Sequence, residues 1–413
     1  MLLDQALYSG SNFVISILLA RWLSSGQYGA YAVAFATFLL LLVLYQSLVV
    51  EPMAVFGASA YRDCLRGYLK SVLVLHIATA LVICVGLCIT AEVALHLGHG
   101  EGLPAALVSL AFAGPLILLF GLVRRMFYLE LSPGPAVGGG LLYCALILGG
   151  LSLTYRQHWV SAMSALLLMG FGALVASALL LIVLGLRLPS ALGAPSFRET
   201  WRRHWHYGKW ALAGAAMMWI PANIFYPLLS SFSGLREAGE LKALMNFAAP
   251  PLQTYAGLSA LLLPYAAGAL NRGSWTAAPS LTRRFAWLCL AGAVGYWSPL
   301  LLLKGPAFRL LYSGRYTEVA HLLPVVALGS ISLSIFIGPA TVLRAMECPA
   351  SVFSAVCVSS CIAFAVGLPA TRALGIRGAL WAMAVSEAVA FIAVTVLLRR
   401  KLRSATAVAS TVP

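Results

Sequence analysis

Long apolar runs broken by short polar interruptions occupy almost the whole chain. Read as spans, they fall at about 5–22, 29–50, 71–95, 103–123, 135–153, 160–186, 208–231, 241–269, 284–303, 320–343, 352–369 and 376–398. Runs such as Ala32–Val50 and Leu103–Val123 show no polar–apolar alternation, which excludes the strands of a membrane barrel. Some 20 consecutive apolar residues match a helix crossing a hydrocarbon core of about 30 Å. Helices are required because lipid offers backbone groups no hydrogen-bond partner. The pattern predicts an all-α integral membrane protein with about 12 transmembrane helices in two six-helix bundles. The N-terminal bundle is expected over 1–187 and the C-terminal one, with a short basic tail, over 208–413. A basic linker carrying Pro189 and Pro195 joins them over 188–207.

Composition agrees. Of 413 residues, 61% are hydrophobic and 9% charged, against roughly 25% charged in an ordinary soluble domain. The net charge of +15 would suggest nucleic acid in a soluble chain. Here the basic residues lie between spans, so membrane topology accounts for them and no nucleic-acid partner is expected. The side holding both termini carries 18 Lys and Arg and the other side 9. The richer side is predicted to be cytoplasmic, which places both termini inside a bacterial cytoplasmic (inner) membrane. The first span has no basic segment before it and runs on to Arg21-Trp22, so no cleavable signal peptide is expected. Most of the eight cysteines lie inside spans. Cys84/Cys88 and Cys357/Cys361 each share a helix face, with no His or acid at ligand spacing, so they read as apolar packing. No metal and no cofactor are expected.

Two turns look alike: Ser25-Gly26-Gln27-Tyr28-Gly29 after the first span and Ser233-Gly234-Leu235-Arg236-Glu237-Ala238-Gly239 after the seventh. Corresponding turns six spans apart suit a transporter built from two homologous halves.

A few polar residues stand out within or beside the spans. Arg21 closes the first span, Arg124-Arg125 close the fourth, and Lys209 opens the seventh. Each is either an interfacial anchor or a contact for an anionic headgroup, for which an arginine fork is well suited. Glu51 closes the second span. Pro52 disfavours helical geometry in the residue before it, so the helix is expected to stop there. Glu51 would then be a solvated acid, a partner for an arginine, or a coupling site. Glu387 sits mid-way along the last span, and an ionisable group at that depth is a functional hypothesis by default. His76 is a weaker case, early in the third span. Asn12, Asn223 and Asn246, in the first, seventh and eighth spans, are either interhelical packing groups or cavity-lining ones. Pro221 and Pro227 predict a bend in the seventh span.

The stretches Asp4-Gln5-Ala6, Ser11-Asn12-Phe13, Leu18-Leu19-Ala20-Arg21 and Tyr28-Gly29-Ala30-Tyr31 resemble the opening of the multidrug/oligosaccharidyl-lipid/polysaccharide exporter superfamily, in its polysaccharide (O-antigen and exopolysaccharide) flippase branch. Arg236-Glu237-Ala238-Gly239-Glu240 with Asn246 and Pro250-Pro251 resembles its eighth span. Leu311-Tyr312-Ser313-Gly314-Arg315-Tyr316 with Leu322-Leu323-Pro324 resembles the approach to its tenth. Where that family commonly has Leu-Gly-Pro after the arginine, this chain has Trp22-Leu23-Ser24-Ser25-Gly26. The resemblance implies two six-helix bundles around a central cavity that opens alternately to each side. It also implies an undecaprenyl-diphosphate-linked oligosaccharide as cargo, destined for cell-surface polysaccharide.

On this reading Arg21, Arg124, Lys209, Asn12, Asn223 and Asn246 are candidate cargo-binding residues. Glu387 and Glu51 are candidates for coupling to a proton or sodium ion. A polysaccharide polymerase and the membrane lipids are the expected partners. A drug or cation antiporter of the same superfamily is the main alternative, but it would favour several buried acids. A membrane-embedded sugar polymerase or transferase would need an acid–base constellation or a large outer loop, and neither is visible. The chain is therefore not expected to be an enzyme.

Overall fold

The computed structural model describes residues 2–98, 102–187, 195–273 and 278–409. Pro189 and the side chains of Arg187 and Arg272 lie outside the described residues. Among those residues the chain is helical nearly throughout and contains no strand. Twelve long helices run through it. They are α1 (Leu2–Trp22); α2 (Ser25–Tyr45), continued by a π-helical turn (Gln46–Val50) and α3 (Glu51–Ala58); α4 (Leu65–His96); α5 (Gly102–Leu129); α6 (Gly134–Arg156); α7 (Ala162–Arg187); α8 (Phe197–Asn223), broken into α9 (Phe225–Phe232); α10 (Leu235–Gly273); α11 (Ala278–Leu302); α13 (Leu323–Ala345); α14 (Pro349–Leu374); and α15 (Ile376–Ala409). The short α12 (Lys304–Tyr312) and a 3-10 turn (Thr317–Leu322) precede α13. Nine of these helices are long and apolar enough to cross a membrane, ten with the bent α8–α9 pair.

The bend expected from Pro221 is present: α8 and α9 meet at 52°. The stop expected at Glu51-Pro52 is not. Glu51 is helical (φ −65°, ψ −49°) and the helix runs on to Ala58. A proline interrupts a helix because it lacks an N–H and crowds the preceding turn. Here a π-helical turn immediately precedes Pro52, and a side chain from elsewhere donates to a carbonyl of that turn.

The chain divides into two compact units. One comprises Met1–Trp219 with Gly234–Gly239, and the other Ile220–Ser233 with Glu240–Pro413. In the first, Ser24 caps α2 by accepting from the Gln27 amide (3.3 Å), and Gln27 in turn accepts from the Ala162 amide at the start of α7 (3.1 Å). The first turns of α2 and α10 cross at the glycines of the two similar Ser-Gly turns. A Cβ on Gly29 would overlap the Leu235 carbonyl, and one on Gly239 would lie 2.6 Å from the Ser25 carbonyl. Only hydrogen in place of a side chain lets the two backbones come so close. In the second unit, Phe285, Phe336, Leu343, Val352 and Leu398 form a core among α11, α13, α14 and α15. Gly338 brings α13 against Thr282 and Ala286 of α11.

Candidate functional site

Within the first unit, two ends can be told apart. The α1–α2 turn marks one end. There Arg21 is exposed in the last turn of α1, beside Trp22, which stacks on Tyr155 at the end of α6 (centroids 4.4 Å apart). Gly102 opens α5 at this same end, with Gln27 against it. Arg124 lies further along α5, about 33 Å away at 1.5 Å per residue. It is buried, with its guanidinium 5.3 Å from the Phe120 ring, which stacks in turn on Tyr143. Lys209 belongs to the same far end. It is half-buried, with Nζ 5.6 Å from the Trp210 ring centroid, next to Gly208, whose Cα approaches the backbone of Ser47 and Leu48. Arg124 and Lys209 thus share an end, whereas Arg21 sits at the other. Arg21 and Arg124 are too far apart to grip one diphosphate. Asn12 is half-buried mid-way along α1.

A buried polar knot holds the far end together. His204 is fully buried. Its Nδ1 lies 3.1 Å from the Leu48 carbonyl and its Nε2 lies 2.8 Å from the Tyr68 hydroxyl. A carbonyl can only accept, so Nδ1 carries the proton. In the neutral ring Nε2 then accepts from Tyr68, an assignment made from the hydrogen-bond network. Leu48 is four residues before Pro52, so its carbonyl is the one an α-helix would have paired with residue 52. His204 supplies the missing donor. Beside it, Tyr61 donates to Glu199 (2.8 Å), which also pairs with Arg203 (3.3 Å), and Arg203 lies over the Tyr61 ring at 5.0 Å. Burial, followed by the bond to Glu199, pushes the Tyr61 hydroxyl up to about 12, so it remains a donor. Along the same face of α8, Trp219 donates to the Ala36 carbonyl (2.9 Å). The steps from Gly208 to Trp219 and from Ser47–Leu48 back to Ala36 are matched, so α8 runs antiparallel to α2. Glu51 is exposed in the first turn of α3. His76 is buried, sharing a 2.8 Å hydrogen bond with Tyr45 of α2.

The second unit holds a different site. Glu387, half-buried on α15, lines a space of about 330 Å³, counted with its open side. Ser330 of α13 also lines it, with Met245, Leu252, Val325 and Met383. The carboxylate lies directly against Gly329, where a Cβ would overlap Oε2. Asn246 faces elsewhere in this unit. Its amide donates to the Tyr312 hydroxyl (3.3 Å), which donates to the Ala243 carbonyl (2.8 Å). Asn223 is half-buried in the last turn of α8. His204, Tyr68 and Gly329 went unnoticed in the sequence. The pairing of Pro52 with a histidine in an otherwise exposed basic segment, and a glycine inside a span, were the only local signals. Among the described residues no three His, Cys, Asp or Glu side chains could hold a metal ion.

No family model and no curated protein matches the chain. Solved structures do. An inward-facing multidrug resistance MATE family transporter of the MOP superfamily superposes with a TM-score of 0.80 at 14% identity, covering 99% of this chain and 96% of that one. The lipid II flippase MurJ in an inward closed conformation gives 0.71 at 14%, covering 96% and 86%. The MATE multidrug transporter DinF-BH gives 0.69 at 11%, covering 96% and 93%. The chain is a multi-pass membrane protein with the fold shared by MATE and MurJ transporters.

Proposed function

We propose that this protein moves a lipid-linked oligosaccharide, carried on undecaprenyl diphosphate, across the bacterial cytoplasmic membrane by alternating access. Both termini would lie in the cytoplasm. The product would pass to a polymerase in surface polysaccharide assembly. The observation that carries the reading is the buried Arg124 at the end it shares with Lys209. A guanidinium taken out of water at the end that also carries a second cation suits an incoming anionic headgroup. Arg21, at the other end of the same unit, would meet the headgroup as it leaves. The similarity in fold to a lipid II flippase supports a lipid-linked cargo, whereas the similarity to multidrug transporters leaves the antiporter as the competitor.

Glu387 is the residue we assign to coupling, with Glu51 as the reserve candidate. One carboxylate and one hydroxyl in an otherwise apolar space suit a proton. The test is reconstitution of the full chain in liposomes with a fluorescent undecaprenyl-diphosphate oligosaccharide, following its exposure to a membrane-impermeant quencher. Gradient-driven flipping is expected, with no efflux of cationic dyes. Dye efflux without flipping would assign the chain to drug transport instead. Glu387→Gln should insert normally yet lose the response to an imposed proton gradient. Wild-type gradient-driven rates in both Glu387→Gln and Glu387→Leu would move coupling to another group.

A further inference from the structure

The opening turns of α8 carry a surface that the transport reading leaves unused. Thr200, His204 and Gly208 recur every four residues and are all buried, so they set the rotation of this stretch against the first unit. What remains on the outside is therefore determined. Trp201 and Trp205 are exposed and stacked on each other, with ring centroids 5.7 Å apart. Arg198 and Arg202 occupy the neighbouring ridge, both exposed. The acid that could neutralise them, Glu199, is already engaged by Tyr61 and Arg203. Among the described residues neither Arg198 nor Arg202 has an ion-pair or hydrogen-bond partner.

Two like charges one helical turn apart repel unless an anion lies between them. Two stacked indoles left uncovered in water are equally unfavourable, whereas tryptophan is at home at the level of lipid headgroups. A single occupant relieves both conditions: a phosphate held in an apolar–polar boundary. We infer that Arg198, Arg202, Trp201 and Trp205 form a docking surface for anionic phospholipid, with the phosphodiester between the two guanidinium groups and the indoles in the headgroup–acyl boundary. The position fits, because this stretch precedes the apolar part of α8 and so lies where a membrane surface would be. The site is distinct from Arg124, which is buried within its unit on α5.

The consequence is mechanical. The surface lies on the helix that His204 pins to Leu48 and that bends at Pro221, so bound lipid would hold the base of that helix at a fixed depth. Basic side chains at a membrane surface contribute about 1 kcal/mol each. Loss of both arginines should therefore weaken anionic-lipid binding roughly thirtyfold.

The test uses the full chain in nanodiscs of phosphatidylcholine with increasing phosphatidylglycerol. Phosphatidylglycerol should raise the unfolding temperature saturably, and high salt should diminish the effect. Arg198→Gln with Arg202→Gln should shift the titration roughly thirtyfold, while Arg399→Gln with Arg400→Gln in the C-terminal segment should not. Brominated phosphatidylglycerol should quench tryptophan fluorescence more than brominated phosphatidylcholine. Trp201→Phe with Trp205→Phe should remove that difference. Equal quenching by the two lipids in the wild-type chain would overturn the inference even if the arginine variants fail to fold. So would an unshifted titration in the arginine pair. Stabilisation by undecaprenyl diphosphate but not by phosphatidylglycerol would reassign the surface to the cargo and overturn it as well.

Discussion

Replacing His204 with phenylalanine tests whether this side chain is what lets the second span pass through Pro52 without breaking. Phenylalanine keeps the ring and its contact with Phe56 (centroids 6.1 Å apart) but removes both nitrogens. Two groups then lose partners: the part-buried Leu48 carbonyl, at 3.1 Å, and the buried Tyr68 hydroxyl, at 2.8 Å. Tyr68 can fall back on the Pro52 carbonyl only at 3.5 Å. A fully buried group left unsatisfied costs about 1–3 kcal/mol; with one of the two only part-buried and the other keeping a long fallback contact, the substitution should destabilise the protein by about 2–4 kcal/mol, below the roughly 2–6 kcal/mol of two full losses. The diagnostic comparison is with Pro52→Ala. Alanine restores an N–H four residues after Leu48, the donor an α-helix would offer to the carbonyl that His204 now serves. In that background His204→Phe should cost about 1 kcal/mol less, a coupling that a double-mutant cycle measures directly. Denaturant unfolding of the four proteins in one detergent, followed by near-ultraviolet circular dichroism, provides the cycle. Strictly additive losses would refute the argument, because they would mean that Leu48 does not need His204 when Pro52 is present. A His204→Phe variant as stable as wild type would refute it more simply.

Three further outcomes follow from named contacts. Gly29→Ala places a methyl group into the Leu235 carbonyl and should lower stability by about 1–3 kcal/mol, whereas Gly26→Ala, three residues earlier in open space, should be neutral or stabilising by up to about 1 kcal/mol; thermal unfolding of the pair reads the difference. Tyr312→Phe removes a donor to the Ala243 carbonyl and the acceptor for Asn246, and should cost about 1–2 kcal/mol by denaturant unfolding, with Asn246→Ala adding little on top. Lys209→Ala should slow flipping in the reconstituted assay more than Lys401→Ala, since Lys209 shares an end of the first unit with Arg124; equal rates would remove Lys209 from the cargo path.

The helical architecture was legible in the chain because lipid leaves the backbone so few choices. A run of apolar residues without alternation has to be a helix, and each expected span lies within or close to an observed one. Hydropathy registers only the part of a helix matched to lipid. It therefore missed the extra turns where α8 begins at Phe197 and where α10 continues to Gly273. The bend after Pro221 was legible too, since nothing needs to come from far away to make a proline bend a helix.

Pro52 went the other way for a reason no local pattern contains. Whether a proline ends a helix depends on whether some other group can satisfy the carbonyl it leaves, and here that group is His204, 156 residues along the chain. The candidate charges show the same division. Their residue types marked Arg21, Arg124, Lys209 and Glu387 as unusual, because charge beside or within an apolar span is costly. Only the packing decided that Arg21 and Arg124 belong to opposite ends of one unit, and that Glu387 meets a glycine which leaves its carboxylate room. Apolar content dictates the number and kind of elements, whereas the partner of each polar group is set by which helices cross and at which small residues they are able to meet.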